Sequence, residues 1–246
     1  KILLLFFLLH LSLFAETINL ALSANVSYAV EALIKEFNIL HPNVKVRVIV
    51  GSSGKLTAQI DNGAPYDIFM SANMKYPKAL YASAKASTLP RVYAQGSLAY
   101  LSAQERDFSQ GLEILNTKEI SKIAVANPKT APYGKASFEA LKNAKLLAKI
   151  KDKIIYGESA AQTLSYTVSA VDIGFVAKSS LFSPKLKRFK KGVHWEEVES
   201  TLYKPIQQGI VILAKAKGKK SVQYFYDFIL SPKAKKIFRA YGYTVL

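Results

Sequence analysis

The sequence predicts an α/β fold built as two lobes, and three observations carry that expectation. Apolar residues switch repeatedly between the period-2 spacing of strands and the three-to-four spacing of helices. Strand-like and helix-like segments alternate along the chain, which is the pattern of parallel sheets covered by helices. There are too many strand segments and breaks for one small sheet, whereas 246 residues are few for a barrel of eight βα units.

Residues 17–22 read as a first strand. Val30, Leu33, Ile34 and Phe37 then fall on one face of a helix, which the break at His41-Pro42-Asn43 ends. Val44, Val46, Val48 and Val50 alternate with Lys45 and Arg47 as a second strand. Gly51-Ser52-Ser53-Gly54 leads into a helix carrying Leu56 and Ile60 that stops at Gly63, and residues 67–71 form a third strand. The rhythm returns with strands expected at 97–102, 122–126, 153–156, 172–177 and 209–214. Helices are expected through Phe138 and Leu141 and over 159–170. Two helices close the chain. The first packs through Val222, Phe225, Tyr226 and Ile229. The second starts with Ser231 as cap and Pro232 at its first position, packs through Ile237, Phe238 and Tyr241, and stops at Gly242.

Composition narrows the class. Half the residues are apolar and 11% are aromatic, enough for a real core and unlike a disordered chain. Residues 2–14 are apolar apart from His10 and Ser12, follow Lys1 and precede Ala15. That is the layout of a secretory signal over residues 1–15, and it is short for a bilayer-spanning helix. The absence of cysteine excludes disulfides, thiolate metal sites and a cysteine-borne lipid anchor, so the expectation is a soluble periplasmic protein. A formal charge of +17 would ordinarily suggest nucleic acid or an anionic membrane. Export argues against nucleic acid, and the lysines are scattered, with the densest run at Lys185, Lys187, Arg188, Lys190 and Lys191 reading as a solvated loop.

Three loops share one character: Ser23-Ala24-Asn25-Val26-Ser27, Gly51-Ser52-Ser53-Gly54-Lys55 and the stretch 127–134. Each follows a strand, leads into a helix and consists largely of small or hydrogen-bonding residues. The first backbone N–H groups of a helix lack partners and sit at the positive end of its dipole. Such ends converging on one cleft would hold an oxyanion with no full positive charge. Taken singly, each loop reads better as plain helix capping, and it is the three together that favour a site. Enzyme signatures are missing: Gly51 to Lys55 does not complete a phosphate-binding P-loop, and no GxGxxG, HExxH or GxSxG occurs. His41 lies in a break and His194 beside Trp195 in a basic loop, without a nucleophile–base pairing. Glu158-Ser159 suits a helix cap, and Tyr241-Gly242-Tyr243 suits packing and helix termination better than a phenolate metal site.

The ordered set Leu22-Ser-Ala-Asn-Val-Ser, Gly51-Ser-Ser-Gly-Lys-Leu, Gly63-Ala-Pro-Tyr-Asp-Ile-Phe-Met-Ser-Ala-Asn, Ala126-Asn-Pro, Ala131-Pro-Tyr-Gly, Asp172-Ile-Gly-Phe-Val and Ile237-Phe-Arg-Ala-Tyr-Gly-Tyr resembles the molybdate-binding family of bacterial ABC importers. These are type II periplasmic solute-binding proteins, and the resemblance runs from Ile18 to Thr244. It implies two α/β lobes joined by a hinge around an interlobe ligand cleft, with residues 16–95 and 206–246 in one lobe and 96–205 in the other. It implies capture of molybdate or tungstate by neutral donors and delivery to an inner-membrane ABC permease. The protein would be monomeric, without catalysis or cofactor, and molybdenum or tungsten would be bound only as the oxyanion. By position, Asn25 and Ser53 would supply ligand groups, Tyr133 and Ala160 backbone N–H groups, and Ala24 and Ser159 further donors. The sequence departs from some members at Ala177, where a tyrosine hydroxyl would be expected, so that one donor is either missing or replaced by a group on Tyr133, Ser159 or Asn25. The same fold binding sulfate, phosphate or ferric ion is the alternative. A site of pure donors suits a dianion with no proton to give, and cavity size must separate molybdate from sulfate.

Overall fold

The computed structural model describes residues 16–245, and the signal expected at 1–15 lies outside the described residues. The chain opens with β1 (Glu16–Ser23), α1 (Val30–Leu40), β2 (Val44–Gly51), α2 (Ser53–Asp61), β3 (Ile68–Ser71), α3 (Lys75–Ala82) and β4 (Arg91–Gly96). It continues with β5 (Leu98–Leu101), β6 (Ile123–Ala126), α4 (Pro132–Asn143), α5 (Leu147–Ile150), β7 (Ile154–Gly157), α6 (Ala160–Ser169), β8 (Ile173–Ala177) and β9 (Trp195–Glu197). It closes with β10 (Ile206–Ile212), α7 (Lys220–Leu230) and α8 (Pro232–Ala240).

Two five-stranded sheets result, ordered β2-β1-β3-β10-β4 and β7-β6-β8-β5-β9. In the first, β1 runs parallel to β2 and β3, while β10 runs antiparallel to β3 and β4. In the second, β6 runs parallel to β7 and β8, and β5 runs antiparallel to β8 and β9. The chain leaves the first sheet between β4 and β5 and returns between β9 and β10. At this crossing Gly96 pairs with Ile206, and the Tyr203 hydroxyl accepts from the Leu98 N–H at 3.0 Å.

Each sheet is covered on both faces, as strands with apolar residues on both sides require. The strand period divides β1: Ile18, Leu20 and Leu22 join Leu33, Phe37, Phe225, Ile229 and Phe238 on one face. Ala21 turns to the other, with Leu56, Phe69, Leu80 and Val211. In the second lobe Leu98, Tyr100, Val125, Leu141 and Phe175 form one face, and Ala99, Leu101, Leu164, Val176 and Trp195 the other.

All the strands and helices expected from the sequence are present, and α3, α5, β4 and β9 are additional. α5 and β9 are too short to show a period. β4 hides its alternation because the register slips: Gln208 faces Ala94 but Gly209 faces Val92, which leaves Tyr93 as the extra residue of a bulge. α4 begins at Pro132, well before the Phe138 that marks its core face, because its first turn faces the other lobe. No helix among the described residues is long and apolar enough to cross a membrane.

Phe37 is fully buried and meets Phe225 edge-on at 5.0 Å. Phe37→Ala is expected to lower the unfolding free energy by about 3–5 kcal/mol, as large aromatic truncations in cores do, measured by urea denaturation.

Candidate functional site

Parallel strands carry the helices that follow them to one edge of the sheet, and the two lobes bring these edges face to face. Ser23 ends β1 opposite Gly51 at the end of β2, and one 3-10 turn (Ala24–Val26) and α2 start there. Ala126 ends β6 opposite Gly157 at the end of β7, and α4 and α6 start just beyond. Between these four starts lies a cavity with about 200 Å³ of empty space, lined by Ser23, Ala24, Asn25, Gly51, Ser52, Ser53, Ala72, Ala131, Pro132, Tyr133 and Ala160. The space is far smaller than pockets for drug-sized ligands, so a large ligand has no room there. A larger hollow of about 720 Å³ beside Ser102 and Asp172 lies at the opposite, amino ends of β6 and β8.

Five expected site residues, Ala24, Asn25, Ser53, Tyr133 and Ala160, meet at this cavity. Ala24 and Asn25 open the 3-10 turn, Ser53 is the first residue of α2, and Ala160 is the first of α6. Pro132, first in α4, has no N–H, so Tyr133 carries the first backbone donor of that helix. The lining contains no charged side chain. Among the described residues no three His, Cys, Asp or Glu side chains converge as a metal site would need.

Ser159 is a different case. It is absent from the lining, and its hydroxyl accepts the Gln162 N–H at 3.3 Å as the N-cap of α6. As acceptor in that cap the hydroxyl keeps its own proton, and it orients the Ala160 end of the helix. The Asn25 side-chain nitrogen donates to Gln208 Oε1 at 2.8 Å and to the Tyr243 hydroxyl at 3.1 Å. Tyr133 directs its hydroxyl away from the helix start to accept from Gln208 Nε2 at 3.3 Å. Ala177 is buried in the second core, and its carbonyl accepts from Ser180 Oγ at 2.7 Å.

The structure adds residues that the family resemblance did not single out. Ser23 Oγ lies 2.6 Å from Ser53 Oγ, and the Ala72 N–H reaches both oxygens at 3.0 Å. With one hydroxyl donating to the other, one proton of the pair is left for the cavity. The sequence signal was there: Ser23 ends β1, and Ser53 lies two residues past the end of its parallel neighbour β2. Tyr243, expected only to pack, donates to the Asn25 carbonyl at 2.9 Å and lies 3.0 Å from Ser179 Oγ. Ser179 Oγ donates to the same carbonyl at 3.0 Å, so first and second lobes meet at Asn25.

Further contacts join the lobes around the cavity. The Gly54 N–H donates to the Thr130 carbonyl at 2.9 Å, and Lys55 pairs with Glu158. A Cβ on Gly54 would stand 3.0 Å from the Thr130 Cα and carbonyl oxygen and 2.8 Å from the Tyr76 hydroxyl, so glycine is what allows this approach. Tyr28, from the first lobe, packs on the cluster of Leu164 and Leu181 in the second.

Burial pushes the Tyr243 phenol up to about 12, and raises Tyr93 and Tyr133 well above the usual phenol range, with neighbouring phenols adding to the effect. In the unfolded chain these phenols titrate near pH 10. Between pH 10 and 12 the unfolded state therefore holds fewer protons than the folded one, and stability falls as pH rises through that window. Urea titrations from pH 9 to 12 are expected to show this loss, with phenolate absorbance of the buried tyrosines appearing together with unfolding rather than before it.

The chain matches the family model described as bacterial extracellular solute-binding protein over residues 18–244. It is 32% identical to a molybdate-binding protein of Azotobacter vinelandii over 93% of this chain and 90% of that protein. It is likewise 32% identical to a molybdate-binding protein of Rhodobacter capsulatus over 79% of this chain and 75% of the relative. The solved structure of the Azotobacter vinelandii periplasmic molybdate-binding protein superimposes with a TM-score of 0.86, covering 93% of this chain and 99% of that one. With its two-lobed α/β fold and the cleft between its lobes, the chain belongs to the bacterial extracellular solute-binding proteins.

Proposed function

We propose that the protein captures a fully deprotonated tetrahedral oxyanion, molybdate or tungstate, between its lobes in the periplasm and delivers it to an inner-membrane ABC permease. One observation carries this reading: the starts of four helical segments, two from each lobe, meet at a small cavity lined by no charged side chain. Helix starts attract anions through unpaired N–H groups and the dipole together. The backbone N–H groups of Ala24, Asn25, Tyr133 and Ala160 and the Ser53 hydroxyl are the proposed donors, with Ser23 as the partner that orients Ser53. The names of the Azotobacter and Rhodobacter relatives support the choice of molybdate.

The hinge is proposed at 95–96 and 205–206, dividing the chain into lobes of 16–95 with 206–246 and of 96–205. Closure about it would bury the anion and present one joined surface to the permease, with the protein acting as a monomer and performing no catalysis. The Gly54–Thr130 and Lys55–Glu158 contacts are the interlobe bonds that closure makes.

Thermal unfolding with molybdate, tungstate, sulfate and phosphate in turn tests the ligand. A ligand at about a hundred times its dissociation constant adds roughly 2.7 kcal/mol, and the shift is expected for molybdate or tungstate alone. A shift with sulfate or phosphate alone would overturn the ligand while keeping the fold. Ser53→Ala is expected to weaken molybdate binding by about 1–3 kcal/mol, the value of a hydrogen bond to a charged group, read by calorimetry. Gly54→Ala is expected to weaken binding by faster release, because the added methyl opposes closure rather than entry; stopped-flow dissociation rates check this.

A further inference from the structure

Gln208 is fully buried on β10, at the crossing between the lobes, and it does not line the cavity. Its side-chain amide nevertheless touches two residues that do, one from each lobe: Asn25 at 2.8 Å and Tyr133 at 3.3 Å. It also accepts from the Tyr93 hydroxyl at 2.8 Å, which the bulge in β4 brings into reach. A Cβ on Gly96 would fall 2.0 Å from the Tyr133 hydroxyl and 2.6 Å from Gln208 Nε2, so this contact exists only because position 96 has no side chain.

A carboxamide turned by 180° exchanges its oxygen and NH₂ without changing shape. The pair Asn25–Gln208 therefore has two complete arrangements, and both amides must turn together, since two oxygens or two NH₂ groups facing at 2.8 Å make no hydrogen bond. In the first, Asn25 Nδ2 donates to Gln208 Oε1, which leaves the Asn25 oxygen for the cavity. In the second, Gln208 Nε2 donates to Asn25 Oδ1 and to the Tyr93 oxygen, and Gln208 Oε1 accepts from the Tyr133 hydroxyl. The second arrangement leaves no group stranded. The Tyr93 proton reaches the Ser71 carbonyl at 3.3 Å, the Tyr243 hydroxyl turns to the Asn25 amide oxygen, and Ser179 Oγ keeps the Asn25 carbonyl at 3.0 Å.

We propose that Gln208 is a positioning residue that sets the polarity of the cavity. By donating to Asn25 Oδ1 it turns the Asn25 NH₂ toward a bound oxyanion, and in the opposite arrangement the same pair presents an acceptor. The inference rests on the oxyanion reading above. It makes discrimination between a proton-free anion and a protonated one a property of a buried amide pair outside the binding surface. A ligand that carries a proton to donate favours the first arrangement, and one that only accepts favours the second.

Calorimetry with molybdate and with phosphate on the unaltered protein, Gln208→Met, Asn25→Ala and the double variant tests it, alongside melting temperatures without ligand. Gln208→Met is expected to weaken molybdate binding about tenfold, the order expected from a hydrogen bond that orients a charged-group donor, and to narrow the preference over phosphate. In the Asn25→Ala background the same substitution is expected to change affinity little, because its effect passes through Asn25. The Asn25 side-chain ¹⁵N–¹H resonances are expected to shift on adding molybdate to the unaltered protein and to stay put in Gln208→Met. A Gln208→Met protein that melts lower but binds molybdate normally, or one whose loss is equal with and without Asn25, overturns the proposal. If the unaltered protein binds molybdate and Ser53→Ala weakens it, such a result removes only the role of Gln208; if the unaltered protein binds no molybdate, the ligand itself is wrong.

Discussion

Unpaired backbone N–H groups at helix starts are the constraint around which this structure is arranged. Their partners cannot come from the helix itself, and parallel strands deliver several of them to the same sheet edge. Here β1 and β2 of one lobe and β6 and β7 of the other end facing each other, so the donors of four helical segments share one small volume. Burying those donors is costly unless something accepts from them. A small anion is the natural acceptor, and the uncharged lining leaves the backbone to do the neutralising.

The interlobe contacts follow from the same geometry. Because the helix starts oppose one another, residues in their first turns are the ones that meet across the cleft: Gly54 with Thr130 and Lys55 with Glu158. Both residues of the ion pair are more than half exposed, so it contributes little energy by itself. The backbone contact at Gly54 is the more exacting one, since it tolerates no side chain.

Behind the cavity a buried polar cluster of Asn25, Gln208, Tyr93, Tyr133, Tyr243 and Ser179 ties both lobes and the crossing strands together. Buried polar networks of this kind are favourable only when every member is satisfied. That condition links the orientation of a cavity residue to strands that it does not touch in sequence, and it makes the crossing more than a passive hinge.

The fold was largely legible in the sequence because its signals are local. The valines of β2, the stripe of Val30, Leu33 and Phe37, and the Ser231-Pro232 start of α8 each declare an element within a dozen residues. Small polar loops after strands marked the segments that hold Ala24, Asn25, Ser53 and Tyr133, while the family resemblance chose the residues within them and added Ala160. Ser159 caps α6 and stands outside the lining, a distinction the sequence does not carry because capping a helix and lining a cavity call for the same residue type. Tyr243 reaching Asn25 and Gln208 reaching both lobes were out of reach, since these partners lie 218, 183 and 75 residues apart in the chain. The sequence by itself determined which segments become strands and helices and which of their ends stay open to a ligand, through periodicity and capping chemistry. Only the tertiary structure decided which of those ends meet and which residues hold the Asn25 amide, because hydrogen-bond partners across lobes depend on sheet order and on the bulge at Tyr93, and neither leaves a local pattern.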